Sequence, residues 1–293
     1  MEPELDSFET VFRTRSRAGC GEAALVLEAL GLRPLVHELD GSWVITVAPH
    51  EARRARREIE AWRAEARPAP EAPPRPVVAD GRPGVLGYVL VVVAIALAAG
   101  NAMLDRDWLA AGRIDGAAMQ AGEWWRAVTG LTLHVDAGHL AANIFFGGVF
   151  GGFAGRYLGS GVAWLLVLLA GAIGNVINVV TLGFEHRAIG ASTAVFAALG
   201  LLGSLAWAGR RTSAKGRLYR WAPVIAAVAL LAYTGAGGER TDIGAHLWGF
   251  AAGLCAGLLA ARIPRSWLLA RGLQSAAGLA ALAVVAGAWA MAL

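Results

Sequence analysis

Seven stretches of this sequence contain no Asp, Glu, Lys or Arg: Gly84–Leu104, Ala137–Gly155, Tyr157–Phe184, Ala188–Gly209, Trp221–Gly238, Ile243–Ala261 and Gly272–Leu293. Each is at least 18 residues long. A helix of that length crosses the roughly 30 Å of hydrocarbon in a bilayer. In lipid a single segment satisfies its backbone N–H and C=O groups only as a helix. The sequence therefore predicts an all-α polytopic membrane protein with seven spans. The charges are displaced elsewhere: residues 1–83 hold 12 Arg and 14 Asp/Glu, more than half of all charged side chains. The net charge of +4 belongs to the membrane part and gives no reason to invoke nucleic acid.

Residues 1–66 read as a small soluble α/β domain of order βαββα. Thr10–Thr14 is a strand, and Glu22–Leu30 a helix closed by Gly31. Leu35–Leu39 and Ser42–Val47 form a hairpin around Asp40-Gly41. Trp43, Ile45 and Val47 share one strand face. Glu51–Ala66 is a charged helix whose Arg53, Arg54, Arg56 and Arg57 read as a solvated face, with His37 and His50 as surface or turn residues. Glu2, Glu4, Asp6 and Glu9 argue against a signal peptide. Residues 67–83, with six prolines, read as a semi-extended linker. The order predicted is domain 1–66, linker 67–83, membrane core 84–262, and a connector with the seventh span at 263–293. Cys20 and Cys255 suggest neither a disulfide framework nor a zinc site. No cofactor or metal is expected.

Basic residues in short loops set the orientation. With the N-terminus in the cytoplasm, Arg156, Arg210, Arg211, Lys215, Arg217, Arg220, Arg262, Arg265 and Arg271 lie inside, against five arginines outside. The C-terminus is then outside. So is the connection Asp105–Asp136, whose Trp108, Trp124 and Trp125 suit a segment lying in the membrane interface.

Polar groups inside spans are costly and need an account. His139 and Asn143 open the second window at i, i+4, on one helix face. Ser192 opens the fourth within Gly190-Ala191-Ser192-Thr193, and His246 opens the sixth. All three helices run the same way, so the four side chains share one layer near the outer surface. His246, Gly249, Gly253 and Gly257 form one stripe on the sixth helix. With Gly190 and the other small residues of the fourth, they permit close helix packing. That contact brings Ser192 Oγ within reach of His246, a nucleophile and its base. His139, Asn143 and the Ser192 N–H are then placed to hold an oxyanion. Asp242, one turn before His246, is a possible third member. His134 and His186 read as interface residues at loop ends, Asn175 and Asn178 as helix–helix hydrogen-bonding groups, and Arg126 as an anchor of the outer loop.

These motifs resemble the rhomboid intramembrane serine proteases over about residues 84–262. The matching stretches are Trp125-Arg126, His139-xxx-Asn143, Gly190-Ala191-Ser192 and Ala245-His246-xx-Gly249. The resemblance implies a Ser192–His246 dyad without an acid, with His139 and Asn143 at the oxyanion and Phe196 packed on the imidazole. It also implies a six-helix core with the seventh helix added after it. Thr193 stands where many relatives have glycine, and Gly155 where some have a glutamate.

The expected function is an intramembrane endopeptidase acting on single-span membrane proteins. The fifth helix and the loop Gly237–Asp242 are candidates for the movement that admits them. A small residue is expected before the cut. With 25 Arg against one Lys, the expected setting is a bacterial cytoplasmic membrane. A rhomboid-like pseudoprotease that binds membrane helices without cutting them is the alternative. A transporter would place ionisable groups deep in the spans and show internal repeats; the windows have neither.

Overall fold

The structure, a computed structural model, describes residues 8–65, 78–235 and 241–293. It divides into two units, Met1–Pro76 and Val77–Leu293.

The first unit runs β1 (Glu9–Thr14), α1 (Arg17–Ala29), β2 (Leu35–Leu39), β3 (Ser42–Val47) and α2 (Pro49–Glu65). β3 lies in the middle, antiparallel to both neighbours. Asp40 and Gly41 take φ of 51° and 70°, as the two-residue turn between β2 and β3 requires. α1 begins five residues before the expected Glu22. Ser16 caps it, its Oγ accepting the Gly19 N–H at 3.1 Å, and this offsets the weak helix propensity of Gly19 and Gly21. Ile45 and Val47 meet Phe12, Ala23, Leu27, Ala55 and Ile59 in the core, with Trp43 partly buried at its margin.

The second unit opens with α3 (Arg82–Gly100). A set of short elements follows: α4 (Trp108–Gly112), β4 (Ile114–Asp115), α5 (Gly116–Gln120), α6 (Arg126–Thr129) and a 3-10 turn at Gly130–Thr132. Then come α7 (Ala137–Leu158), α8 (Ser160–Leu182), β5 (Arg187–Ala188), α9 (Ser192–Ala208), α10 (Arg217–Gly235), α11 (Ile243–Ala260), α12 (Arg265–Leu268) and α13 (Arg271–Ala292). Among the described residues six helices are long and apolar enough to cross a membrane: α3, α7, α8, α10, α11 and α13.

The seventh, α9, has only 17 residues, about 25 Å of helix. It starts four residues later than the expected Ala188. β5 pairs with β4, the Gly190 N–H donates to Gly130 O at 2.9 Å, and Gly190 has φ +137°, outside helical geometry. Gly190 therefore precedes the helix in which the sequence placed it as a packing residue. Two smaller boundaries also move. Arg156 lies in the last turn of α7, and the chain turns at Gly159 with φ +82°. Arg82 and Pro83 open α3 rather than closing a linker, because a proline loses no hydrogen bond in a first turn. Residues 67–77 of that linker lie outside the described residues, as do residues 236–240 of the loop after α10.

α9 is the centre of the bundle, packed by α7, α8, α10 and α11. Its contact with α11 is backbone to backbone. A Cβ at Gly249 would run into the Thr193 carbonyl, one at Gly253 into the Ala197 carbonyl, and one at Gly257 into Ser204 Oγ. The outer connection is a folded layer. Arg126 donates from Nη1 to the carbonyls of Ala110 (2.9 Å) and Arg113 (3.0 Å), and from Nε to Glu123 at 2.7 Å. Trp108 is buried against Trp289 of α13, ring centroids 4.7 Å apart, so it belongs to a protein core and not to the membrane interface. At the other end of α13, Gln274 holds the α7–α8 turn. Its Oε1 accepts the Gly161 N–H at 2.8 Å, and its Nε2 donates to Leu158 O at 2.8 Å. At Gly155 a Cβ would stand 2.9 Å from Gly81 Cα, so the larger side chain of some relatives has no room there.

Candidate active site

Two capped helix starts and one uncapped start meet at the site. Asp136 caps α7, accepting the His139 N–H at 2.7 Å. Asp242 caps α11, accepting the Ala245 N–H at 3.0 Å. No side chain caps α9, so the N–H of Ser192, its first residue, has no partner within the helix and lies at the positive end of the helix dipole.

His246 is buried, 6% exposed. Its Nε2 is 2.9 Å from Ser192 Oγ and its Nδ1 is 2.9 Å from Gly235 O. A carbonyl only accepts, so Nδ1 carries the proton and Nε2 the lone pair, and the Ser192 hydroxyl donates to Nε2. The Phe196 ring lies 4.4 Å from the imidazole, centroid to centroid. A Cβ at Gly235 would sit 3.1 Å from Leu231 Cδ1, 3.3 Å from Phe196 Cζ and 3.5 Å from His246 Nδ1, so this carbonyl is presented from a closely packed corner.

His139 faces the same point. A Cβ at Gly190 would lie 2.7 Å from its Cε1, 2.9 Å from its Nε2 and 3.7 Å from Ser192 Oγ. The missing side chain at Gly190 thus admits the His139 ring beside the serine. Asn143 is buried and donates from Nδ2 to His139 O, one turn back, at 3.0 Å. The structure thus brings Ser192, His246, Phe196 and His139 together, and commits one amide N–H of Asn143 to its own helix. Gly249, Gly253 and Gly257 lie along the α9–α11 seam.

Residues 121–263 match the family model of the Rhomboid domain, a range that includes all four polar residues. Over that range the chain carries a Rhomboid domain. It is 37% identical over 90 residues to "Rhomboid protease GluP" of Bacillus subtilis, a match covering 31% of this chain and 17% of that protein. It is 35% identical over 80 residues to "Putative rhomboid protease YdcA" of the same organism, covering 27% of this chain and 40% of the relative. The matched segments span less than half the length of either relative.

Around this candidate site lies a second polar cluster that sequence spacing did not reveal. Asp242 accepts from Asn178 Nδ2 at 2.9 and 3.1 Å and lies 2.8 Å from His186 Nε2. Burial would raise its carboxyl pKa. The His186 contact and the Ala245 N–H more than reverse this and hold it below its ordinary value. Asp242 therefore does not orient His246; the Gly235 carbonyl does. His186 is a partner in this cluster, not an interface residue. Asn175 donates to Ala127 O at 2.9 Å, and so ties α8 to the outer layer rather than to another spanning helix. His134 packs edge-on against His139, centroids 5.2 Å apart, and neither of its ring nitrogens has a hydrogen-bond partner among the described residues. Burial first, and His139 second, push its pKa down to about 4.

Proposed function

We propose that this protein is an intramembrane serine endopeptidase that hydrolyses peptide bonds in or near the membrane helix of a client protein. The observation that carries this reading is the 2.9 Å contact between Ser192 Oγ and His246 Nε2, with Nδ1 already bonded to Gly235 O. Ser192 Oγ attacks the scissile carbonyl as its proton passes to Nε2. The imidazolium that forms keeps its Nδ1–H on the Gly235 carbonyl, so no carboxylate is needed to fix the tautomer. The oxyanion develops at the start of α9, where the Ser192 N–H and the His139 ring stand. The remaining Asn143 amide N–H is a further donor there. His246 then protonates the leaving amine, and a water activated by the same imidazole releases the acyl-enzyme.

The late start of α9 sets the serine below the outer layer. Client helices that unwind locally expose their carbonyls to it, and a small residue before the cut suits the crowding by Gly190 and His139. α10 packs on α9 and turns Ile225, Val228 and Tyr233 outward, which makes it the element to move for client access. We place the N-terminus in the cytoplasm and the C-terminus outside a bacterial cytoplasmic membrane, following the basic loops and the bacterial relatives.

In purified form, wild type should cleave single-span membrane proteins, with the cut mapped by mass spectrometry, and Ser192 should react with a fluorophosphonate. Ser192→Ala should abolish both while leaving the thermal unfolding midpoint within a few degrees. Cleavage that persists in Ser192→Ala would sink the proposal. A wild type that neither cuts nor labels would favour an adaptor that binds membrane helices.

A further inference from the structure

Between α3, α8 and α13 lies a cavity of ≈ 1350 Å³ that the proposed reaction does not use. Its two ends differ. At one end it is lined by Asp80, Ser160, Arg271 and Ser275. Beyond that it is walled by apolar groups such as Val91, Leu168, Leu279, Leu282 and Val285, and its lining reaches Leu131 and Ala191. From Arg271 to Val285 the wall of α13 is about 21 Å long, somewhat more than the roughly 15 Å of hydrocarbon in one leaflet. The cavity is thus a slot with a polar mouth and an acyl-length apolar body.

The charges at the mouth do not cancel. Asp80 is paired with Arg82, Nε to Oδ1 at 3.0 Å. Ser160 Oγ donates to Asp80 O. Gln274 bonds the α7–α8 turn through both ends of its amide. Arg271 and Ser275 remain, at i, i+4 on one face of α13. Both line the cavity, and neither has a partner among the described residues. A docked protein helix would cover the apolar wall but leave the guanidinium without an anion. A bilayer lipid supplies both parts at once.

We infer that this cavity binds one phospholipid with an anionic headgroup, its phosphate on Arg271 and Ser275 and an acyl chain running toward Val285 and Leu131. Since lipid tails are equally apolar inside and outside the slot, the selectivity comes from the headgroup. The far end of the chain reaches Ala191, the residue before Ser192, so the lipid would pack against the backbone that presents the serine.

The test is native mass spectrometry of the full chain, after exchange into micelles with equimolar phosphatidylglycerol and phosphatidylcholine of matched chains. Wild type should retain phosphatidylglycerol about fivefold better, the weight of one arginine at an anionic surface. Arg271→Gln should lose the preference and Arg271→Lys should keep it. Gly278→Phe should reduce retention of both lipids, because a Cβ there meets nothing closer than Gly161 Cα at 3.8 Å and the ring has only the cavity to fill. Leu282→Trp is the second filling variant if the first does not fold. Equal retention of both lipids by wild type would overturn the inference, as would a preference that survives Arg271→Gln. Displacement of the lipid by excess inorganic phosphate would reduce the mouth to an anion site. A photo-crosslinker at position 282 that captures a protein chain in place of lipid would also overturn it.

Discussion

Gly235 gives the candidate dyad a carbonyl, and a carbonyl has no side-chain signature. The i, i+4 spacing of His139 and Asn143 and the positions of Ser192 and His246 are legible because they are local features of single helices. The group that fixes the imidazole lies 11 residues back, at the end of another helix, so the nearest carboxylate in sequence, Asp242, is the natural but mistaken candidate. Asp242 instead joins residues 56 and 64 positions away, and no spacing rule reports that. Its carboxyl is held below the ordinary carboxylate range. Its contribution is therefore complete at neutral pH and is lost only as pH falls through that lowered value. Asp242→Asn keeps a side chain able to cap α11 but removes the charge that faces Asn178 and His186, so it should cost about 1.5–3 kcal/mol at pH 7, and lower kcat more than it raises KM. The gap from wild type should close in strong acid; unfolding midpoints measured across pH would show it. His134 has the same sign in a higher pH window. Its folded pKa of about 4 lies below its unfolded value, so the unfolded chain takes the proton first. Stability falls as pH drops from about 6.5 toward 4, by at most about 1.4 kcal/mol per unit. His134→Phe should flatten that limb, and parallel midpoint-versus-pH curves for the two proteins would refute the argument.

At the scale of elements, the α9–α11 seam couples stability to chemistry. Gly249, Gly253 and Gly257 let α11 rest on the backbone of α9, and the same two helices carry His246 and Ser192. Gly253→Leu must separate the helices or shift one along the other. Overpacking of this kind costs about 1–3 kcal/mol, and a displacement near 1 Å at reacting groups costs about 100-fold in rate. Cleavage should therefore fall by about two orders of magnitude while the unfolded fraction stays small. Gly272→Leu, at a glycine with nothing within 4 Å, is the control and should leave both unchanged. Equal effects from the two substitutions would separate the seam from catalysis. The stripe is readable in sequence because small residues four apart on one helix have few other uses in lipid. The late start of α9 is not. It arises from the β4–β5 pair and the Gly190–Gly130 bond, contacts between residues 60 to 74 positions apart, while composition at 188–191 alone continues the apolar run.

For the membrane part as a whole, the position of α13 changes what a six-helix core with an added helix means. The family match ends at residue 263, before α13 begins, yet α13 is bonded at both of its ends. Gln274 satisfies backbone groups of the α7–α8 turn. Trp289 Nε1 donates to Thr132 Oγ1 at 3.0 Å, buried, in the layer that also holds Trp108 and Gly130. Gly130 in turn receives the Gly190 N–H beside the serine. The seventh helix therefore clamps the layer from which α9 starts. Trp289→Ala should cost about 3–5 kcal/mol, the usual loss for a buried aromatic, and should lower cleavage through the layer. Gln274→Ala should cost about 1–3 kcal/mol by leaving buried backbone groups unpaired. The two sites lie about 22 Å apart along α13, so the double variant should show the sum of the single effects. Unfolding midpoints in one detergent at one pH would measure all three. If Trp289→Ala leaves midpoint and cleavage unchanged, α13 is an appendage to a core complete without it. If the costs appear and add, the membrane unit is one seven-helix structure whose last helix supports the first turn of α9.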